Sequence, residues 1–307
     1  LRNYFLFENM TALLFPGQGV QKIGMLNEII SSNSEIHDFL AKASEGLDFD
    51  LIKLITSGPE EKLNLTEYAQ PAILASSLAI IKAKKLNSNI NVTAGLSLGE
   101  YSALVYANCL KFSDALKLVN VRGRLMQNAV PEGTAGMLVI LNMDLNEVYK
   151  MIDSVNSSGE EINFSTDNAE GVSVLAGKNS SIDACKKYIE DNNFRRVKTQ
   201  MVQMSVPSHC SLLTEAQAEL EKLLNSMEFK SPMIPVIPNV LAKPTSNPDE
   251  IKSALVTQLT STVRWRETLL FLTENKVQEI IDAGPGKTIV NMARKLKDIE
   301  KTSLLDM

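Results

Sequence analysis

The sequence predicts an α/β fold: a large unit of alternating strands and helices, interrupted by a smaller α+β unit. Three observations predict it. Short apolar runs that stop at turn formers read as buried strands, as in Thr11-Ala-Leu-Leu-Phe15 before Pro16-Gly17 and the run 277–282 before Gly284-Pro285-Gly286. Helix-length stretches separate them, the alternation of an α/β domain. Between about Pro131 and Gln200 the texture changes to closely spaced β-like and helical pieces, as in a small inserted α+β unit. The division is therefore 10–130 with 201–307 for the large unit and 131–200 for the small one.

The elements follow in order. After the strand at 11–15, short helices are expected at 26–30, 36–43 and 51–55. Thr66 is placed to cap a helix that begins at Glu67, tolerates Pro71 only in its early turns and runs to about residue 85. A second strand at 91–95 leads into a helix at 98–107, entered directly after Ser97. A helix at 113–128 carries Asp114 in its first turn and Arg122 and Arg124 towards its end, as the helix dipole favours. In the small unit, strands at 137–141, 172–176 and 195–199 alternate with helices at 145–156 and 180–192. A helix is expected from about His209 to residue 227, then a proline-marked return around a strand at 234–237, and after the strand at 277–282 a final helix.

Composition narrows the function classes. With 307 residues and 44% hydrophobic content the chain can bury a sound core without a metal or disulfide staple. Its 31 basic and 36 acidic side chains leave a formal charge of −5, so the basic stripe that binds nucleic acid is missing. Cys109, Cys185 and Cys210 form no C-x-x-C pair and are odd in number, which fits a reducing, cytoplasmic setting. The apolar run at 71–81 holds Ser76 and Ser77 and stops at Lys82, short of the roughly 20 residues that span a bilayer, so no membrane segment is expected. Residues 4–7 are too short for the apolar core of a signal peptide, and the natural start is expected at Met10. The sequence demands nothing beyond a monomer.

Gly95-Leu96-Ser97-Leu98-Gly99 is a G-x-S-x-G element between a strand and a helix, the setting of a nucleophile elbow. Without that context the match is weak; with it, Ser97 is the candidate nucleophile. A serine hydroxyl needs a base within hydrogen-bond reach, and the chain offers only His37 and His209. His37 lies between acidic neighbours and reads as a surface residue. His209, in the loop Ser205-Val-Pro-Ser-His-Cys210, is the candidate base.

Three other patterns fail on their residues. Gly284-Pro-Gly-Lys-Thr288 resembles the end of a P-loop, but Ile281 stands where the first glycine is required. Gly17-Gln-Gly19 lacks the third glycine of a dinucleotide fingerprint, since Lys22 occupies that position. The histidines and cysteines have no metal-ligand spacing.

Taken together, Phe15-Pro-Gly-Gln-Gly19, Gly95-Leu-Ser-Leu-Gly-Glu-Tyr101, Val121-Arg-Gly-Arg-Leu-Met-Gln127, Val206-Pro-Ser-His-Cys210 and Gly284-Pro-Gly286 resemble the malonyl-CoA:acyl-carrier-protein transacylases of fatty-acid synthesis and the related acyltransferase domains of polyketide synthases. The resemblance runs from Met10 to the end of the chain. It implies an α/β-hydrolase-like large subdomain with an inserted small ferredoxin-like subdomain. It makes Ser97 the nucleophile, His209 its base, and the N–H groups of Gln18 and Leu98 the oxyanion hole. A main-chain carbonyl near Gln258 would orient the histidine, and Asn239 would be a further pocket residue. Arg122 would grip the malonyl carboxylate; from the residues alone it is an ordinary helix cation. The implied substrate is malonyl-CoA, the partners are a coenzyme A thioester and an acyl carrier protein, and no cofactor is permanently bound.

Two positions depart from the family. Leu96 stands where histidine is common, and Asn168-Ala-Glu-Gly-Val172 replaces the usual Asn-x-Pro-x-Gln, which bears on the acyl preference. Two basic clusters, Arg195 with Arg196 and Lys198, and Arg294 with Lys295 and Lys297, are candidate carrier-docking patches or plain solvated surface. A serine esterase or thioesterase, a discrete polyketide acyltransferase and a non-catalytic carrier-docking module are the competing readings.

Overall fold

The computed structural model describes residues 10–307, so the expected upstream segment 1–9 lies outside the described residues. Strand β1 (Met10–Phe15) precedes helices α1 (Asn27–Ser32), α2 (Ser34–Ser44), α3 (Leu51–Ser57), α4 (Glu60–Asn64) and α5 (Thr66–Lys84). Next come β2 (Ile90–Gly95), α6 (Gly99–Tyr106) and α7 (Phe112–Ala129). The middle of the chain holds β3 (Ala135–Leu141), α8 (Leu145–Ser157), β4 (Ile162–Ala169), β5 (Val172–Lys178), α9 (Asn179–Asp191) and β6 (Lys198–Met201). The return carries α10 (Thr214–Ser226), β7 (Val236–Ile237), α11 (Pro248–Gln258), α12 (Trp265–Glu274), β8 (Val277–Asp282), α13 (Thr288–Met292) and β9 (Glu300–Ser303).

Two sheets result. The larger is parallel, in the order β7-β2-β1-β8-β9, and the smaller is antiparallel, in the order β4-β5-β3-β6. A parallel sheet is covered on both faces, which is why its central strands are continuous apolar runs. Along β1, Leu13 and Phe15 enter one core with α5, α6 and α7, while Ala12 and Leu14 enter a second core with Trp265 and Leu269. The small sheet packs Leu138, Ile140 and Leu175 against α8 and α9, and turns Val174 and Ala176 towards the first core. A backbone bridge between Thr166 and Val263 ties it to the large unit.

Several expectations are corrected. Thr66 does not cap α5 but lies buried inside it, with Leu65 at the cap position. Pro71 does sit inside the helix, and the Glu67 carbonyl that its missing N–H deserts accepts Asn120 Nδ2 at 3.0 Å instead. Strand β6 begins at Lys198 rather than at 195, and α10 begins at Thr214 rather than at His209. Helices α4, α11 and α12 and strands β4 and β9 were not anticipated from the sequence. Prolines hid α11, although Asn247 caps it by accepting from Asp249 and Pro248 occupies its first turn. Among the described residues no helix is long and apolar enough to cross a membrane.

Candidate active site

Phe15 and Gly95 lie opposite each other at the carboxyl ends of β1 and β2, the end of a parallel sheet where ligands usually bind. The chain turns there so sharply that Ser97 adopts φ +52°, in the left-handed region. The two flanking glycines have no alternative. A Cβ on Gly95 would lie 1.9 Å from the Gly99 carbonyl carbon, and one on Gly99 would lie 2.4 Å from the Phe15 carbonyl oxygen. Asn239 braces the turn: its Oδ1 accepts the Ser97 N–H at 2.7 Å and its Nδ2 donates to the Gly95 carbonyl at 2.6 Å. Expected among the pocket residues, Asn239 therefore has both polar atoms engaged by the elbow backbone.

His209 arrives from a different part of the chain. Its Nε2 is 2.7 Å from Ser97 Oγ, and its Nδ1 is 2.7 Å from the main-chain carbonyl of Gln258. A carbonyl only accepts, so Nδ1 carries the proton and Nε2 presents its lone pair to the serine hydroxyl. Burial, reinforced by the nearby Arg122 charge and opposed by the Gln258 carbonyl, pulls the imidazole pKa down to about 3. The ring is thus neutral and ready to accept a proton. His209 has φ +57°, and β4 holds the turn in place. Ser165 Oγ donates to the Ser208 carbonyl at 2.8 Å, and Asn163 Oδ1 accepts the Ser211 N–H at 3.1 Å.

Arg122 is not a last-turn cation on α7; it is 1% exposed and points inward. Its Nη2 lies 3.4 Å from Ser97 Oγ and 3.1 Å from Gln258 Oε1, and its guanidinium lies over the Tyr101 ring at 5.5 Å. No carboxylate forms an ion pair with it among the described residues. Desolvation lowers its pKa, the signature of a buried positive charge short of compensation. An anionic group entering beside Ser97 would meet that charge in a low-dielectric setting.

The sequence reading missed Glu100 as a site residue, although it lies within the Gly95-to-Tyr101 motif in the first turn of α6. Its side chain is fully buried and its Oε2 accepts the Asn239 N–H at 2.9 Å and Gln258 Nε2 at 2.8 Å. Burial pushes its carboxyl up to about 7 against those hydrogen bonds and the Arg122 charge. Gln258 Nε2 also reaches the Ser97 carbonyl at 3.1 Å.

The Pro16-Gly17-Gln18 loop abuts the elbow so closely that a Cβ on Gly17 would lie 2.7 Å from the Leu96 carbonyl oxygen. Among the described residues, no internal hydrogen bond takes up the Gln18 or Leu98 N–H. Asp282 accepts the N–H groups of Gly284 at 3.0 Å and Ile289 at 2.9 Å, so the P-loop-like turn is filled by the chain's own carboxylate. His37 is exposed beside Asp38. No cluster of metal-ligating side chains occurs among the described residues.

The acyl transferase domain family matches residues 12–303. The chain belongs to that family. It is 38% identical over 300 residues to a malonyl CoA-acyl carrier protein transacylase of Haemophilus influenzae, covering 96% of this chain and 95% of that protein. The crystal structure of FabD from Acinetobacter baumannii superposes with a TM-score of 0.91 at 37% identity, covering 96% of this chain and 94% of that one. A malonyl-transacylase solved in complex with AntF, a type II PKS acyl-carrier protein, gives 0.90 at 36% identity, covering 96% of both chains. As an acyltransferase-family member the protein has the mixed α/β fold of these enzymes.

Proposed function

We propose that this acyltransferase moves a malonyl group from malonyl-CoA to the phosphopantetheine thiol of an acyl carrier protein in fatty-acid synthesis, through an ester on Ser97. The observation that carries the reading is the buried Arg122 guanidinium, paired with no carboxylate among the described residues, 3.4 Å from the nucleophile oxygen. A planar guanidinium grips a carboxylate through two parallel hydrogen bonds, and an acetyl group would leave it uncompensated.

His209 takes the Ser97 proton as Oγ attacks the thioester carbonyl carbon. The Gln18 and Leu98 N–H groups receive the tetrahedral oxyanion. The C–S bond then breaks, the imidazolium returns its proton to the departing thiolate, and coenzyme A leaves. The carrier thiol enters and the same steps run in reverse, with Ser97 as leaving group. Gln258 holds His209 in the required tautomer through its main-chain carbonyl. Every step uses groups of this chain and the two thiols.

The names of the relatives support the donor and the acceptor, and the AntF complex favours a polyketide carrier as the second reading. The reading places the enzyme in the cytoplasm as a monomer, in keeping with three buried free cysteines. It keeps 131–200 as the small subdomain, supported by the separate antiparallel sheet. The test is incubation with labelled malonyl-CoA followed by intact mass. A malonyl adduct that disappears in Ser97→Ala and passes to added carrier protein is expected. Rapid release of free malonate would make the enzyme a thioesterase, and no adduct would make it a docking module.

A further inference from the structure

Thr66 has no capping role, yet its hydroxyl sits fully buried at the start of α5 within a line of polar side chains. Gln18 Nε2 lies 3.2 Å from Thr66 Oγ1, Thr66 Oγ1 lies 3.0 Å from Ser205 Oγ, and Ser205 Oγ lies 2.8 Å from Gln127 Oε1. The protons can be assigned from the ends inward. An amide nitrogen only donates, so Thr66 Oγ1 accepts from Gln18; an amide oxygen only accepts, so Ser205 donates to Gln127. The Thr66 hydroxyl must then donate to Ser205. Each hydroxyl has one proton and uses it once, so the four groups form a one-way chain in which each bond polarises the next.

The chain joins parts that the reaction needs in register. Gln18 belongs to the loop against the elbow, Gln127 lies on α7 with Arg122, and Ser205 lies on the strap that leaves β6 and delivers His209. The Gln18 side chain is half exposed, and Thr66 is its hydrogen-bond partner among the described residues; beyond it, Gln21 Oε1 accepts the Gly19 N–H at 2.8 Å. We propose that Thr66 and Ser205 are positioning residues that fix the Gln18 loop, and with it the backbone N–H aimed at the oxyanion, to the histidine strap and the Arg122 helix. This rests on the acyl-transfer reading above and adds the residues that set its oxyanion geometry.

An oxyanion donor acts on the transition state and not on the bound thioester, so its displacement lowers kcat and leaves KM in place. Arg122, in contrast, acts on the substrate carboxylate. Thr66→Val keeps the side-chain shape and removes the hydroxyl; Thr66→Ser restores it; Ser205→Ala breaks the next bond from a half-buried position. Acylation of Ser97 should be timed for each variant with malonyl-CoA and with acetyl-CoA, alongside circular dichroism.

The expected result is a kcat about tenfold lower for Thr66→Val with both thioesters, set against the roughly hundredfold or greater loss when an oxyanion donor is removed outright. KM should stay within about twofold, Thr66→Ser should recover the wild-type rate, and Ser205→Ala should follow Thr66→Val. Wild-type kcat in Thr66→Val and Ser205→Ala would overturn the proposal, as would a loss confined to KM or to malonyl-CoA alone. If Thr66→Val does not fold, folded Ser205→Ala decides by the same criteria. A wild-type enzyme that takes up no malonyl group would instead overturn the acyl-transfer reading itself, which separates the two failures.

Discussion

Arg122 and Glu100, the buried cation and the buried carboxyl of the site, do not touch: the Gln258 amide stands between them, its Oε1 3.1 Å from Arg122 Nη2 and its Nε2 2.8 Å from Glu100 Oε2. A guanidinium cannot accept, so the amide turns its oxygen to Arg122 and its nitrogen to Glu100. The arrangement keeps Glu100 near while leaving the guanidinium unclaimed by any carboxylate among the described residues.

Gln258→Glu should close that gap. A glutamate here would share a proton with Glu100 across the 2.8 Å contact and turn its other oxygen to Arg122, where it would compete with the substrate carboxylate. The KM for malonyl-CoA should rise by about tenfold or more, the scale of a charge-assisted hydrogen bond lost to competition. The main-chain carbonyl that holds His209 is untouched, so acetyl transfer should change far less. Steady-state kinetics with both thioesters checks this, and an unchanged malonyl KM would speak against the insulating role of the amide.

The acid limb of the rate should be missing from its usual place. With His209 held down at about 3, chiefly by burial, the base stays neutral where a free histidine near 6.5 would be protonated. Initial-rate kcat/KM for malonyl-CoA should therefore show no loss from histidine protonation centred near pH 6.5; such a midpoint would contradict the lowering of His209 by burial. The linked stability has a definite sign. His209 contributes stability above about pH 6.5 that is lost as pH falls towards 3. Glu100, raised from 4.5 to about 7, contributes stability below pH 4.5 that is lost as pH rises through 7.

Gly99→Ala should cost stability as well as rate. The added methyl would sit 2.4 Å from the Phe15 carbonyl oxygen and 2.7 Å from that of Pro16, both backbone atoms of the central strand and its exit. Overpacking against backbone costs about 1–3 kcal/mol or somewhat more, read as a lower denaturant midpoint with an unchanged slope. Gly286→Ala, with open space around its Cβ position, is the matched control.

The legible parts of this protein were those in which local chemistry and function coincide. The β1 and β2 runs, the G-x-S-x-G turn and the Pro-Ser-His loop could be read because a buried parallel strand is apolar and an elbow needs glycines. Strand β4 escaped because Asn163, Ser165 and Thr166 make it polar. Two of these hold the His209 turn through Ser208 and Ser211, so the polarity that hid the strand is its function. Arg122 read as a helix cation because charge alone does not reveal burial, and its proximity to Ser97 depends on how α7 packs. Glu100 lay in plain view within the elbow motif. Its importance comes from Asn239 and Gln258, more than a hundred positions away, which meet it only in the folded chain.

The central claim is that Arg122 selects a carboxylate-bearing acyl group for Ser97. It is tested most directly by the rate of Ser97 acylation in Arg122→Ala with malonyl-CoA against acetyl-CoA. Malonyl loading should fall by about a hundredfold or more relative to acetyl loading, the order expected for a lost buried guanidinium–carboxylate pair. Equal losses with both thioesters would contradict the account.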